Sequence, residues 1–373
     1  MSTFPGLNGS CFYAIIPAGG IGSRLWPLSR ADSPKFLHDL TGQGRSLLQG
    51  TWRRLLPAVG PDHIYVVTGV KHRAAVTAQL PDLPADHLLV EPQPRESTAA
   101  ICYAAAVIER DHPGAIVGSF PADHLIGDEP EFRRVVAEAE RVAAAGYLTT
   151  IGITPTAPST AFGYIQTNGA LPVEGAPHAR SVRSFVEKPQ ERVAERYFHS
   201  GEYLWNAGMF LAPAAQLLEW LHESKPQLHQ QITRIVSAAP EQRAAVVAEA
   251  WPGLEKIAID YAIAEPVAAA GRVAVLPGDF DWDDVGDFSA VARQIRRRNP
   301  GNLAVLGGAT KVLADSSTGV VVGESDRLIC LAGIDDVVVV DTPDVLLVTT
   351  GRNAQKVKGM VNMVRTHGDG EVL

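Results

Sequence analysis

With 373 residues, 46% of them hydrophobic and 20% charged, the chain exceeds what one small core can organise and reads as a soluble globular protein. Its formal net charge of −8 argues against a nucleic-acid polymer as partner, while leaving room for a local positive pocket that takes phosphate. Three dispersed cysteines, Cys11, Cys102 and Cys330, are odd in number; they exclude a disulfide framework and fit inert thiols in a reducing, cytoplasmic compartment.

The chain opens on Met1 to Ser10, which carries no charged n-region; the apolar run after it is too short for a signal peptide or a membrane span, so 1–10 is expected to be a mobile tail. Phe12 to Ile16 is a short apolar run that ends in a loop with Gly19, Gly20 and Gly22, the pattern of a buried strand delivering a close-approach turn. Such a turn can present backbone N–H groups to an anion, and Arg24 and Lys35 add two cations, which together suit a polyphosphate. The loop is not a P-loop, because no Lys-Ser/Thr follows at the required spacing, and Leu25 stands where a dinucleotide fingerprint has its third glycine. An ordinary tight strand-to-helix connection would account for the glycines equally well.

Short β-rich runs then alternate with helical stretches, the pattern of a parallel sheet covered on both faces. Strands are expected at Ile64 to Thr68, Leu88 to Glu91, Ile116 to Phe120, Leu148 to Ile153 and Ser181 to Val186, with helices at Leu47 to Leu55, Ser97 to Arg110 and Glu131 to Ala145. Ligands of such sheets collect at the carboxyl ends of the strands. Glu91 to Ala100 leaves a strand and enters a helix, with Ser97 or Thr98 suited to capping it. Asp123 lies just past a strand, where it can serve as a Mg²⁺ ligand or cap a turn. Glu187 and Lys188 end another strand directly before Pro189; adjacent opposite charges are usually a weak surface pair, but here both can reach the ligand edge. Pro213 to Val247 has the spacing of amphipathic helices and is assigned to a lid or flank. Asp260 can cap a helix. Phe280 to Phe288 holds so many carboxylates that they need a counter-ion or good solvation, and its Trp282 and Val285 argue for partial burial. Beyond Asn299-Pro300-Gly301 the texture changes to β-rich runs at Gly319 to Val322, Leu328 to Leu331, Val337 to Val340 and Val345 to Val348, read as a small β domain.

Taken together, the string from Ala18-Gly19-Gly20-x-Gly22-x-Arg24 through Trp26-Pro27-Leu28-Ser29-Arg30 to Pro34-Lys35 resembles the signature of the sugar-1-phosphate nucleotidyltransferases, most closely the mannose-1-phosphate guanylyltransferases. Pro121-Ala122-Asp123-His124, Phe162-Gly163-Tyr164-Ile165, Phe185-Val186-Glu187-Lys188-Pro189, Trp205-Asn206-Ala207-Gly208-Met209-Phe210, Ile259-Asp260-Tyr261-Ala262 and Trp282-Asp283-Asp284-Val285-Gly286 follow in the family's order. The resemblance implies an α/β fold, with a Rossmann-like nucleotidyltransferase domain over 11–300 on a mixed, mostly parallel sheet. A small C-terminal β domain over 301–373, left-handed β-helix-like, would serve assembly as a homodimer. It implies that Ala18, Gly19, Gly20, Gly22, Ser23, Arg24, Lys35, Glu91, Arg95 and Ser97 hold the nucleotide. Gly163, Tyr164, Glu187, Lys188, Asn206, Gly208 and Asp260 would hold the sugar phosphate, with Lys188 on the phosphate and Gly208 permitting close packing. Asp123 and Asp284 would bind Mg²⁺. The chain departs from the pattern at Glu96, Thr98 and Ala99, at Asp283 where serine is usual, and at Phe288 where tryptophan is usual.

The implied reaction is transfer of GMP from GTP to mannose 1-phosphate, with Arg24, Lys35, Asp123, Lys188 and Asp284 as its catalytic group. A uridylyl- or thymidylyltransferase acting on another hexose 1-phosphate shares the fold and loop. A non-catalytic nucleotide-sugar sensor would be expected to lack the metal carboxylates.

Overall fold

The computed structural model describes residues 12–298, 301–307, 310–368 and 370–373. The tail at 1–10, Cys11 and the Asn299-Pro300 break fall outside the described residues. The chain divides into two compact units. The first holds 12–19, 51–122 and 126–282, and the second holds 20–50, 123–125 and the chain from 283 onward.

The first unit is built on β1 (Phe12–Ala18), β2 (Ile64–Gly69), β3 (Leu88–Glu91) and β4 (Ile116–Ser119). The two-residue β5 (Leu125–Ile126) follows, and then β6 (Leu148–Ile153), β7 (Tyr164–Ala170), β8 (Arg180–Val186), β9 (Tyr203–Pro213) and β10 (Val273–Gly278). Nine of these form one sheet in the order β3-β2-β1-β4-β9-β6-β10-β8-β7. The sheet is mixed: β3, β2, β1 and β4 run parallel, as do β6 and β10, whereas β9 runs antiparallel to β4, β6 and β7. Strands such as β4 are buried along their whole length, which is why they read as continuous apolar runs without alternation. Register places Ala18 opposite Thr68 and Gly69 opposite Glu91, so the strand that leads into the glycine loop and the strand that carries Glu91 end at the same edge.

The helix Glu96–Asp111 buries Thr98 through Ile108 without a break, and its alanines let it pack closely. Against it lie helices Ala214–Ser224 and Pro226–Ser237, whose Leu217, Trp220, Leu221, Leu228 and Ile232 belong to the same apolar core. The stretch from Pro213 is therefore part of the main core and not a lid. Cys102 is a buried free thiol in this core, and burial pushes its pKa up to about 12.

The second unit is entered at the two-residue β11 (Trp282–Asp283) and contains β12 (Leu303–Leu306), β13 (Lys311–Asp315), β14 (Gly319–Gly323), β15 (Leu328–Ala332), β16 (Val337–Asp341) and β17 (Leu346–Thr350). Successive strands alternate between a sheet ordered β12-β14-β16-β17 and a two-stranded sheet of β13 and β15, which is the winding of a β-helix. All pairs are parallel except that β17 returns antiparallel to β16. Both faces of β16 are covered. Val337 and Val339 face Ile329 and Leu331, while Val338 and Val340 join a core with Leu25, Trp26, Leu28, Phe288 and Val357. The C-terminal β module and the signature loop thus share one core. Arg296, near the end of the helix Phe288–Arg298, donates to the Gly319 carbonyl at 3.0 Å.

Candidate active site

In the second unit the glycine loop turns into a single 3₁₀ turn, Ser23–Leu25. Gly22 sits at φ 73 with the place of a Cβ only 2.6 Å from the Lys35 Cβ, so any side chain there would both strain the backbone and strike Lys35. The loop is closed by Leu25 N donating to the Gly22 carbonyl at 2.8 Å, by Ser29 Oγ donating to the same carbonyl at 2.6 Å, and by Lys35 N donating to the Ile21 carbonyl at 3.2 Å. Those bonds fix Arg24 and Lys35 on one short stretch of chain.

Lys35 is buried, and its ammonium donates to Asp123 Oδ2 at 2.8 Å and to the Asp284 carbonyl. The two aspartates predicted to bind metal are therefore brought to one cation. Burial alone would raise the Asp123 pKa, but the charges of Lys35 and His124 hold it below the usual carboxylate range. For Asp284 burial wins, aided by the negative charges of Asp283 and Asp123, and its pKa is raised. Asp283, the extra carboxylate, is satisfied locally: Oδ1 accepts from Val285 N at 2.8 Å and Oδ2 from the Gln294 amide at 3.0 Å. Val285 is buried at φ 46, a left-handed conformation that costs a β-branched residue about 1–3 kcal/mol and holds the turn that carries Asp284.

No group of three or more His, Cys, Asp or Glu side chains that could hold a metal gathers among the described residues. Two hard carboxylates beside a buried ammonium nevertheless fit Mg²⁺, which takes one or two carboxylates and fills its other positions with phosphate oxygens and water.

The sugar candidates lie in the first unit and form a hydrogen-bonded chain of their own. Asn206 Nδ2 donates to Asp260 Oδ1 at 2.9 Å, while its Oδ1 accepts from Thr150 Oγ1 at 2.8 Å and from Gly208 N at 3.1 Å. The backbone donor at Gly208 fixes which end of the amide is which. Asp260 is the first residue of a π-helical turn, Asp260–Ala264, whose N-cap is Ile259, so its carboxylate does not occupy the N-cap position. Its pKa is pushed up to about 7, first by burial and then by Glu187. Glu187 Oε1 pairs with Lys188 Nζ at 2.7 Å, and Glu187 N donates to Glu265 Oε1 at 3.2 Å. Burial would lower the Lys188 pKa, but the hydrogen bond and charge of Glu187 raise it on balance. At Gly163 a Cβ would lie 2.5 Å from Glu187 Oε2, so this glycine makes room for the carboxylate. Gly208 has nothing within 4 Å of a Cβ; the reason for glycine there is φ 67, not close packing. The Tyr164 side chain is committed to the core, its ring beside Tyr197 and Tyr203 and its hydroxyl donating to the Ser159 carbonyl at 2.9 Å.

The stretch 91–98 is anchored on 251–259. Trp251 Nε1 donates to the Gln93 carbonyl at 2.8 Å, Arg95 donates to the Pro252 carbonyl, and Ser97 Oγ accepts from Ile259 N at 2.9 Å. Because the helix already starts at Glu96, Ser97 and Thr98 lie inside it and do not cap it. Ser97 instead ties this segment to the residue before Asp260. Glu91 is buried, its Oε1 has no hydrogen-bond partner among the described residues, and burial pushes its pKa up to about 7. Sequence reasoning missed Thr150 and Glu265, which orient Asn206 and Glu187. A pair of threonines, Thr149 and Thr150, inside a buried strand was the available signal for the first; nothing marked the second.

Comparison with known proteins then separates the two ends of the chain. Residues 13–298 match the family described as Nucleotidyl transferase, and residues 310–364 match the MannoseP isomerase/GMP-like beta-helix domain. A mannose-1-phosphate guanylyltransferase of Klebsiella pneumoniae is 34% identical over 355 residues, covering 94% of this chain and 73% of the relative. The xanthan biosynthesis protein XanB of Xanthomonas campestris pv. campestris (strain B100) is 35% identical over 361 residues, covering 96% of this chain and 74% of the relative. A crystal structure from Thermus thermophilus, described as a mannose-1-phosphate geranyltransferase, matches with a TM-score of 0.83 and 30% identity over 95% of this chain and 99% of that one.

Proposed function

The chain belongs to the nucleotidyl transferase family, and on that premise we propose that it transfers GMP from GTP to α-D-mannose 1-phosphate, giving GDP-mannose and pyrophosphate. The observation that carries the choice of substrates is likeness along nearly the whole chain to proteins called mannose-1-phosphate guanylyltransferase, at 34% identity over 94% of its length.

The nucleophile is a phosphate oxygen of mannose 1-phosphate, mostly ionised at neutral pH because its second pKa is about 6, as for other phosphate monoesters. No general base is needed. The oxygen bonds to the α-phosphorus of GTP, and the bond from that phosphorus to the bridging oxygen breaks, so the electron pair leaves with pyrophosphate. Nucleotidyl transferases generally use a divalent metal. Here Asp123 and Asp284 would hold Mg²⁺, which supplies positive charge to the phosphates. Arg24, Lys35 and the amides of Gly19 to Ser23 bind the departing pyrophosphate. Glu91, a buried acceptor at a strand end, reads the N1–H and N2–H donors of guanine, with Arg95 and Ser97 holding its loop. Lys188 takes the sugar's phosphate, while Glu187, Asn206 and Asp260 take its hydroxyls.

A homodimer and a cytoplasmic location belong to the same reading. The exposed Leu313, Leu328, Leu346 and Val348 of the β module support the first, and the free thiols of Cys102 and Cys330 support the second. No helix among the described residues is long and apolar enough to cross a membrane. Pyrophosphate release measured over a grid of four nucleoside triphosphates and several hexose 1-phosphates tests the function. The highest kcat/KM should fall on GTP with mannose 1-phosphate, and a maximum on UTP or dTTP with glucose 1-phosphate would overturn it.

A further inference from the structure

Three side chains of the signature loop find partners in the C-terminal segment of the same unit. Trp26 Nε1 donates to the Val372 carbonyl at 2.8 Å, and Arg30 forks onto both oxygens of Asp344 at 2.7 and 2.5 Å. Arg24 Nη1 donates to Gln355 Oε1 at 3.1 Å, and the other end of that amide donates to Asp287 Oδ2. Asp287 is itself fixed, its Oδ1 accepting from Ser289 N at 2.8 Å and Ala290 N at 3.1 Å at the start of the helix Phe288–Arg298. Gln355 lies in the 3₁₀ segment Gly351–Lys356, which is held down by the fully buried Ala354 and by Ser289 Oγ donating to the Gly351 carbonyl at 2.8 Å.

We propose that Gln355 is a positioning residue for nucleotide binding: anchored on Asp287, its neutral amide orients the Arg24 guanidinium towards the triphosphate without neutralising it. The inference rests on the function proposed above. Its physical content is the choice of partner. A carboxylate at this place would form an ion pair and compete with phosphate for the charge of Arg24, whereas a carbonyl oxygen fixes direction and leaves the full charge available. An Arg side chain left without a partner must have several rotatable bonds ordered on each binding event, which weakens ground-state binding of the anion. The C-terminal module then contributes to substrate binding as well as to assembly.

The test is steady-state kinetics on the full chain with GTP, mannose 1-phosphate and Mg²⁺, together with direct calorimetric binding of GTP. Gln355→Met, which keeps volume and removes both polar ends, should raise the KM for GTP about 10-fold, the value of one hydrogen bond to a charged group, and leave the KM for mannose 1-phosphate unchanged. In an Arg24→Ala background the same substitution should have no further effect. Gln355→Glu, which keeps the acceptor but adds charge, should also weaken GTP binding, and it carries the test if the Met variant does not fold. Equal effects on both substrates, additivity with Arg24→Ala, or tighter GTP binding by Gln355→Glu would overturn the proposal. A parent chain that transfers no nucleotide but binds GTP in a Gln355-dependent way would refute the enzymatic reading alone. A parent chain that is active while its Gln355 variants match it would refute the positioning role alone. A parent chain that binds no triphosphate refutes both.

Discussion

Asp123 and Asp284 come from distant parts of the sequence and meet at the Lys35 ammonium. Either Asp→Asn change removes charge from the place proposed for Mg²⁺, so turnover should fall about 100- to 1,000-fold; Asp123→Asn, which also leaves the buried Lys35 ammonium without its ion-pair partner, should lower the unfolding midpoint as well. Near-parental activity at limiting Mg²⁺ would count against that assignment. Lys188 is a separate case, because its ammonium pairs with Glu187 and its side chain is more than half exposed. Lys188→Ala should raise the KM for mannose 1-phosphate about 10-fold or more and spare that for GTP; equal effects would make it general scaffold charge. Asp260 offers a pH test. Its carboxyl moves from an ordinary 3.8 to about 7 on folding, so the folded chain holds the proton more tightly than the unfolded one. The stability tied to that proton is fully present below the unfolded value and is lost as pH rises through about 7. Asp260→Asn should therefore lose less of its thermal midpoint between pH 5 and pH 8 than the parent does, and superimposable pH profiles would refute the shift. These residues were legible because each follows a strand or starts a turn within a recognisable string. Their partners Thr150, Glu265 and Gln355 were not, since what selects them is a contact made across long sequence separations.

Among the elements, the parallel half of the first sheet was readable because β2 and β4 are buried almost throughout and its strands are short β-rich runs bounded by glycine and proline. The strands β7, β9 and β10 were not proposed. β7 ends in the polar Gln-Thr-Asn-Gly, and β9 was read only as a motif, Trp205 to Phe210, although it runs to Pro213 as the strand that joins both halves of the sheet. For the helices from Ala214 onward the sequence left a lid and a flank open, and packing on the main core removes the lid, since periodicity shows that a face is buried and not what it is buried against. Gly163 lies immediately before β7, and its lack of a side chain admits the Glu187 carboxylate. Gly163→Ala should force that carboxylate aside and destabilise the chain by about 1–3 kcal/mol. The KM for mannose 1-phosphate should rise with it, and chemical denaturation alongside kinetics reads both effects. An Ala variant with parental stability and sugar binding would show that Glu187 can relax at no cost.

At the scale of the molecule, the β module was legible as a change of texture after the Pro/Gly break, but its sheets were only partly so. β12 and β13 went unnoticed because one is short and the other is mostly exposed. What sequence could not show is that this module and the signature loop are packed into one core. Truncation after Gly301 would strip Val320, Val338, Val340, Val357 and Val361 from Leu25, Trp26 and Leu28. Each lost side chain costs about 1.5–3 kcal/mol of burial, so the truncated chain should lose GTP binding together with its solubility. A soluble truncated protein that still bound GTP at parental affinity would show that the loop folds without the module. The central claim is the guanylyl transfer itself, and it is tested most directly by mass-spectrometric identification of the products formed when the full chain is incubated with GTP, mannose 1-phosphate and Mg²⁺. GDP-mannose and pyrophosphate should form in equal amounts; GTP left intact, or cleaved to GDP or GMP with no sugar nucleotide formed, would contradict guanylyl transfer.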